Sequence, residues 1–254
     1  MKKFRNTGNN PVYPSIAFVI FVIVWEFIVK TKEIKEYILP SPSAIFNEFI
    51  KSGDLLLLHS KTTITETVLG FIIGVLLAVL LSLVMSSFNI IRNTLYPFMI
   101  LSQTVPIIVL APLITIWFGI GIASKLVVCV LVVFFPVALS LTEGLNSYDK
   151  GLEELLKCMN ANKMQIFFKV KLPSALVHFF SGLKLAAAYA VMGAVMSEWT
   201  GAQNGLGIFL TRSMKSFKTA AMFADIVIIS GFSILLFIFI SIIEKKTIKW
   251  NLKG

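Results

Sequence analysis

The polar segment between positions 143 and 173 carries the residues most suited to contact a partner protein. Its first half has apolar residues at the i, i+3, i+4, i+7 spacing of an amphipathic helix, namely Leu152, Leu155, Leu156 and Met159. Asn160 follows them and tolerates the left-handed conformation that ends a helix. A second short helix is predicted from about 163 to 171, and Pro173 should end it. The segment predicts a two-helix elbow with an apolar face and a basic rim, and a loop that lies on anionic lipid headgroups fits these residues equally well.

A second group of candidates lies inside an apolar run, at Gln103, Thr104, Pro106 and Pro112. Proline removes a backbone donor and obstructs the hydrogen-bond ladder of a helix. A broken helix persists in a membrane only where protein or a water-filled cavity satisfies the freed carbonyls. These residues are therefore candidates for a gate or a substrate-facing element, and a simple structural kink fits them equally well.

Lys184 is an intramembrane cation, eleven residues beyond Pro173. That is on the order of 16 Å along a helix, which predicts a position close to mid-depth. An ammonium there is costly unless it snorkels, pairs or faces water. Glu198 lies roughly 21 Å further along the same helix, too far to be its direct partner. Lys184 is thus a pathway residue or is paired with another helix or subunit, and Glu198 is a second pathway candidate.

Membrane-crossing helices must position these residues. Of the 254 residues, 57% are hydrophobic and 14% are charged, and the mean hydropathy is +0.86, which is unlike a soluble domain. Several apolar runs reach the roughly 20 residues that a helix needs to cross the hydrocarbon core. We predict an all-α integral membrane protein, a single domain over 1–254, with transmembrane helices at about 14–30, 64–88, 95–118, 122–142, 174–199 and 223–243.

The net charge of +10 is distributed between the apolar runs rather than along one helix face, which indicates topogenic charge and argues against nucleic acid. Lys and Arg in the two tails, at Arg92 and in the 143–173 loop outnumber those in the opposite loops. The positive-inside bias therefore predicts a multi-pass protein of the cell membrane with both termini and the 143–173 loop in the cytoplasm. Trp25 and Glu26 interrupt the first run and no A-x-A site follows, so it should be an uncleaved span.

Two further patterns concern the packing of the spans. The segment 31–63 is too polar to cross, and the run from Leu39 to Ser43 predicts a turn into a short amphipathic helix along the outer interface. Small residues recur every fourth position in the second and fifth spans, at Gly70, Gly74, Ala78, Ser82 and Ser86, and at Gly182, Ala186, Ala190 and Ala194. Such stripes line a pathway or a subunit interface, or serve ordinary helix packing.

Catalytic chemistry is not indicated by the remaining residues. His59 and His178 fall on opposite sides of the membrane in the predicted topology, so they should not share a catalytic or metal site. Neither Cys129 nor Cys158 belongs to a CxxC motif. The sequence has no G-x-x-x-x-G-K-[ST] phosphate loop and shows no deep carboxylate relay. We expect no catalytic residue, metal or cofactor, and ATP hydrolysis, if transport uses it, in another subunit.

The 143–173 segment resembles the EAA loop of ABC importer permeases. Glu154, Asn160, Val170, Leu172 and Pro173 stand in the register of that motif. Asn160 replaces its glycine, and Leu155 and Leu156 replace its two alanines. The resemblance implies a cytoplasmic coupling helix, roughly 153 through 165, that docks into a groove of an ATPase subunit. The coupling residues it implies are Glu153, Glu154, Met159, Asn160, Ala161, Asn162, Lys163, Gln165, Val170, Leu172 and Pro173.

The resemblance extends over nearly the whole chain and is strongest to the nitrate, sulfonate, taurine and thiamine-precursor permeases. Its motifs are Leu39 to Pro42, Ser102 to Pro106, Ala111 to Leu113, Trp117 to Gly119, Ser181 to Lys184, Glu198-Trp199 and Gly205 to Gly207. It implies a type I ABC importer permease fold and a complex of two permease copies, two ATPase subunits and an extracytoplasmic substrate-binding protein. Three segments, 169–173, 179–184 and 213–217, resemble the branch that imports pyrimidine precursors of thiamine. Sulfonate, taurine or nitrate import, and a secondary carrier without an ATPase, are the alternatives.

Overall fold

The computed structural model describes residues 12–248, and helices make up nearly all of that range. Charged side chains are sparse along the longest of these helices, as expected for segments that cross lipid. A π-helical segment, Phe167–Lys171, lies between α8 and α9. The α-helices are α1 (Val12–Thr31), α2 (Pro42–Lys51), α3 (Gly53–Ser87), α4 (Asn89–Gln103), α5 (Ile107–Phe118), α6 (Ile122–Asn146), α7 (Lys150–Cys158), α8 (Lys163–Ile166), α9 (Leu172–Glu198), α10 (Leu206–Lys215) and α11 (Thr219–Thr247).

Five of the helical stretches are long and apolar enough to cross a membrane. They are α1, α3, α6, α11 and the continuous run 163–198 that ends with α9, and the bent pair of α4 and α5 supplies a sixth. The prediction of an all-α protein with about six transmembrane helices is thus confirmed. α3 differs from its predicted bounds because it begins at Gly53 and includes the last part of the 31–63 segment. Its 35 residues extend about 52 Å, well beyond a hydrocarbon core of about 30 Å.

The core of the bundle is the contact of α6 with α3 and α9, which also contact each other. The glycine stripe of α3 lies directly on α6, where a Cβ added to Gly74 would be 2.9 Å from the Val133 Cβ. The stripe of α9 also packs on α6, where a Cβ added to Gly182 would be 2.8 Å from the Ser140 Cβ. Ser82 of α3 also donates a 2.9 Å hydrogen bond to the carbonyl of Ala138. Helix packing therefore accounts for both stripes.

The predicted third span is two helices that meet at 104°. Pro106 lies at the break and precedes the first residue of α5, where a missing N–H removes no intrahelical bond. Pro112 lies inside α5 and does not interrupt it. Of the two prolines proposed to break this span, only Pro106 coincides with the break.

The second half of the elbow differs from the prediction. Instead of one helix that Pro173 ends, α8 passes through the π-helical segment into α9 without a stop. The N–H of Leu172 donates to the carbonyl of Phe167, five residues earlier. This wider turn gives the ring of Pro173 room in the helical path. The expectation that Pro173 ends the helix is therefore wrong, and the elbow continues directly into a membrane-crossing helix.

The predicted outer turn is present at the start of α2. Ser41 caps this helix by accepting the N–H of Ala44 at 3.2 Å, and Pro42 occupies its first turn. Glu26 near the end of α1 accepts hydrogen bonds from the backbone N–H and hydroxyl of Ser43, at 3.0 and 2.8 Å. α2 is therefore fixed to α1, and its buried Ile45 packs into an apolar cluster with residues of α3, α10 and α11.

The close approach of α3 and α6 predicts a stability difference between two glycine variants. Gly74→Ala should destabilise the protein by about 1–3 kcal/mol, because the new methyl group overpacks the contact with Val133. Gly231→Ala, also in the interior of a long helix but with nothing within 4 Å of the added Cβ, should cause no loss. Thermal unfolding of the detergent-solubilised protein measures both, and equal melting temperatures would contradict the packing account.

Candidate functional site

The elbow begins with α7, whose ends are both fixed by local hydrogen bonds. Asp149 caps the start of the helix by accepting the N–H of Gly151 at 2.8 Å. At the other end Asn160 has a φ of 60°, the left-handed conformation predicted from its type. The N–H of Ala161 donates to Leu156 O, and that of Asn160 to Lys157 O, each at 2.9 Å. This is the Schellman arrangement, with Asn160 in the place usually taken by glycine.

The second arm starts immediately after the turn with a reciprocal capping box. The side chain of Asn162 accepts the N–H of Gln165, and the side chain of Gln165 accepts the N–H of Asn162, each at 2.8 Å. Ile166 and Val170 behind it are buried. The turn is therefore rigid, and its second arm is attached to the bundle by apolar side chains.

The outer face of α7 is apolar and uncovered. None of its nine residues is buried. Leu152 and Leu155 of the helix are exposed to 50% and 56%, and Met159, directly after it, is exposed to 70%. Met164 on the second arm is exposed to 65%. Apolar side chains at the tip of an elbow, on an otherwise polar segment, are typical of a surface that another protein covers.

Tyr148 and the charges around it brace α7 against the segment that leads into α9. Glu153 accepts from Lys157 at 2.9 Å, and the ammonium of Lys171 lies 4.5 Å from the centre of the Tyr148 ring. A hydrogen bond from Tyr148, together with Lys157, lowers the pKa of Glu153. Glu153 therefore stays ionised at neutral pH and contributes to the brace.

The coupling residues implied by the resemblance fall into two groups. Those from Glu153 to Gln165 form α7, the turn and the start of α8. The other three, Val170, Leu172 and Pro173, lie behind the turn, where Val170 is buried and the other two are half-buried. The structure thus places the first group on the accessible tip and the second at the junction with α9.

The bend between α4 and α5 borders a cavity of about 270 Å³. Gln103 and Pro106 line it, whereas Thr104 and Pro112 do not. The other walls come from α6 and α9. They include Leu131, Val132, Phe135, Pro136, Tyr189 and Met192.

Lys184 and Glu198, the two charged pathway candidates, lie away from this cavity and apart from each other. Lys184 forms a two-oxygen ion pair with Glu244 of α11, at 2.9 and 3.1 Å. Glu198 is fully buried at the end of α9. Of the alternatives left open for Lys184, pairing with another helix is the one that the structure contains.

Glu198 belongs to a buried set of side chains that holds the start of α10. It accepts the N–H of Gly207 at 2.5 Å and the hydroxyl of Thr63 at 2.6 Å. Thr63 in turn accepts the N–H of Leu206 at 2.8 Å, and His59 accepts that of Gly205 at 2.9 Å. Three N–H groups at this helix end therefore have partners from α3 and α9.

Sequence reasoning missed most of the partners in these networks. Lys125 pairs with the buried Glu66 at 2.8 Å, and its position inside a predicted span was a usable signal. At the other end of the bundle Tyr96 donates to Glu143 at 2.7 Å. Arg92 bonds Asn146 beside it, which fixes α4 to the end of α6. Within residues 12–248, no group of three metal-ligating side chains comes together.

Membrane-crossing helices, a bent pair beside a cavity, and an uncovered elbow continuous with a central helix define a subunit of a membrane transport system. The comparison with known sequences specifies which system. The chain belongs to the family of binding-protein-dependent transport system inner membrane components, whose model matches residues 70–249.

The relatives are transport permeases. The formylaminopyrimidine transport permease protein ThiX of Halalkalibacterium halodurans is 37% identical over 242 residues, which is 94% of this chain and 96% of that protein. A putative aliphatic sulfonates transport permease protein of Bacillus subtilis, SsuC, is 29% identical, over 91% of this chain and 85% of that protein. A crystal structure of an amino acid ABC transporter has the same fold, with a TM-score of 0.62 at 18% identity over 80% of this chain and 97% of the matched chain.

Membership of this family makes the protein an ABC transporter permease. It is a multi-pass protein of the inner membrane, and the family works with ATPase and substrate-binding protein partners.

The Lys184–Glu244 pair predicts a rescue by charge exchange. Lys184→Glu and Glu244→Lys should each lower the melting temperature. Each variant places two like charges side by side at positions where the side chains are only about one-quarter exposed. The double variant should restore most of the loss, with a coupling free energy of about 0.5–3 kcal/mol.

Thermal unfolding of the four proteins measures this coupling. ATP-dependent uptake restored along with stability would support a pairing role. Stability restored without uptake would contradict a purely pairing role. It would indicate that the positive charge of Lys184 contacts the solute, because such a contact depends on which residue carries that charge.

Proposed function

We propose that the chain is the membrane subunit of an ATP-driven importer and that the elbow, residues 150–166, docks into a separate ATPase subunit. The observation that carries this proposal is the uncovered apolar face of α7 at the tip of a rigid turn. Burial of Leu155 and Met159 in a groove would be favourable by roughly 1.5–3 kcal/mol for each side chain that becomes fully covered. ATP is bound and hydrolysed in the partner, and this chain transmits the motion.

The path of that motion follows from the continuity of the helices. α8, the π-helical segment and α9 form one uninterrupted run from 163 to 198. α9 packs along α6 and also contacts α3 and α11. Movement of the elbow around Asn160 would therefore displace α9 as a rigid body and change the cavity that Tyr189 and Met192 line. The same displacement would switch the pathway between inward and outward opening.

The assembly proposed is two copies of this chain, two ATPase subunits and one extracytoplasmic binding protein. Both termini and the elbow would face the cytoplasm. The excess of Lys and Arg at the elbow end supports this orientation. α2 and α10 lie at the opposite end of the bundle. Binding protein would then deliver the solute to the face that contains α2 and α10.

The pathway proposed runs past the bend at Gln103, Thr104, Pro106 and Pro112. The start of α5 has backbone N–H groups without helical partners, and in a membrane such groups need water, protein or solute. The open cavity beside Pro106 supports this pathway. Lys184 and Glu198 would support the pathway by holding α11 and α10 in place.

The solute proposed is a pyrimidine precursor of thiamine. The 37% identity with a formylaminopyrimidine permease, over nearly the full length of both chains, supports it. Import of a sulfonate by the same mechanism is the alternative, supported by the 29% identity with a sulfonate permease.

Association with the ATPase should depend on the backbone conformation at Asn160 and on the apolar tip. Asn160→Gly should retain binding, whereas Asn160→Val should weaken it about tenfold, because a left-handed β-branched residue costs roughly 1–2 kcal/mol. Leu155→Glu should also release the ATPase, because it places a charge in the apolar contact. Co-purification of the ATPase with the tagged permease measures all three.

Ile90→Glu is the matched control, because Ile90 is an equally accessible aliphatic residue, 83% exposed, outside the elbow. It should leave co-purification unchanged. Full ATPase recovery with both Asn160→Val and Leu155→Glu would place the docking surface elsewhere. A native chain that purifies alone and transports without ATP would indicate a secondary carrier.

Uptake into liposomes that contain the complete complex should distinguish the two solute classes. With its own binding protein, ATP-dependent uptake of formylaminopyrimidine should exceed that of taurine by at least about a hundredfold, as expected when a buried polar site rejects an ill-matched ligand. The reverse preference would assign the protein to the sulfonate importers and leave the coupling proposal intact.

A further inference from the structure

We propose that the cavity at the α4–α5 bend is a transient binding site of the permease itself for a neutral, single-ring heteroaromatic solute. In this site Tyr189 stacks on the ring and the amide of Gln103 bonds its polar edge. The inference rests on the proposed function as an importer, and it adds that the membrane subunit, in addition to the binding protein, favours this class of solute.

The lining of the cavity is suited to an aromatic ring. Phe135 of α6 and Tyr189 of α9 contribute rings, Pro106 and Met192 contribute flat or polarisable apolar surface, and no charged residue lines it. Small-molecule sites typically combine such apolar and aromatic walls with a few polar groups. Stacking on an aromatic side chain tolerates many heterocycles because each has a π face.

Two polar groups of the lining are available for a ligand. Among residues 12–248, neither the side-chain amide of Gln103 nor the hydroxyl of Tyr189 has a hydrogen-bond partner. A glutamine amide carries both a donor and an acceptor, which matches the adjacent ring nitrogen and amino group of an aminopyrimidine. In an apolar segment, an amide without a partner is costly unless water or a ligand binds it.

The charges near the cavity disfavour an anionic solute. A sulfonate that enters an apolar passage needs a cation to replace its hydration. The only lysines on the walls α6 and α9 are Lys125 and Lys184, and each is in an ion pair, with Glu66 at 2.8 Å and with Glu244 at 2.9 Å. Neither cation is free for a solute, whereas a neutral ring needs none.

The volume of the cavity sets the size of the solute. About 270 Å³ is near the lower limit for small-molecule sites, which fits one substituted ring. The cavity borders the break at Pro106, so a change in the α4–α5 angle would alter the site. Binding there would therefore be transient, as a transport pathway requires.

The test uses the complete complex in liposomes with its binding protein, and it measures formylaminopyrimidine imported per ATP hydrolysed. Tyr189→Leu removes the ring and should lower this ratio about tenfold, the effect expected for one lost stacking contact. Tyr189→Phe keeps the ring and should stay within about twofold of the native ratio. Gln103→Leu should lower the ratio several-fold, as expected for one lost hydrogen bond.

Tyr13→Leu, at a tyrosine of α1 that is 72% exposed and outside the cavity, is the matched control and should change nothing.

A second measurement observes the site without the binding protein. Saturation-transfer NMR on the purified permease–ATPase complex should detect bound formylaminopyrimidine, with no competition from excess taurine and no signal in Tyr189→Leu. An unchanged import ratio and signal in Tyr189→Leu would overturn the inference. Loss of subunit association in that variant would overturn it as well, because the cavity would then be a contact between copies. Failure of the proposed function would appear differently, as native complex that shows no ATP-dependent import.

Discussion

The close contact of α6 with α3 and α9 holds the helix bundle together. Lipid offers no hydrophobic drive for helices to associate, so they must gain their stability from van der Waals contact along small residues. Gly74 of α3 and Gly182 of α9 provide that contact with α6, where any side chain would collide with Val133 or Ser140. With these three helices fixed, α11, α10 and the bent pair have a rigid surface to pack against. The same rigidity allows movement at the elbow to reach the cavity, because α9 is at once the continuation of the elbow and one wall of the cavity.

The polar side chains inside the bundle mainly hold neighbouring helices in place. Glu198, Thr63 and His59 hold the first N–H groups of α10, and Lys184 holds the last turn of α11 through Glu244. Lys125, Lys184 and Glu198 each have a specific partner, which reduces the cost of their burial. The buried carboxyl group of Asp225 in α11, by contrast, has no hydrogen-bond partner among residues 12–248. The bend differs, because there Gln103 and the backbone beside Pro106 face open space. The unpartnered amide of Gln103 thus lies at the place where a solute would pass, and in a membrane such a group needs water, protein or solute as its partner.

The elbow differs from the bundle, because its segment is mostly polar and yet its apolar side chains are the exposed ones. Its two caps and the left-handed Asn160 define the turn through local hydrogen bonds, and the buried Ile166 and Val170 attach its second arm to the bundle. The elbow is therefore formed before a partner arrives. Such preorganisation lowers the entropy cost of association. The departure of Asn160 from the glycine of the family motif therefore leaves the turn unchanged, because asparagine is the side chain that best tolerates this conformation.

The sequence predicted an all-α protein with about six apolar spans, the turn before α2, the left-handed turn at Asn160 and a break in the third span. These features depend on apolar length, residue type and short-range hydrogen bonds, all of which are local. The structure shows in addition that Pro112 leaves its helix intact, that Pro173 lies within a continuous helical run, and that Lys184 pairs with Glu244. It also shows that Tyr189 and Gln103 line the same cavity. The physical reason is that spacing along one helix fixes which residues share a face, whereas the rotation and depth of one helix against another depend on how all of them pack together.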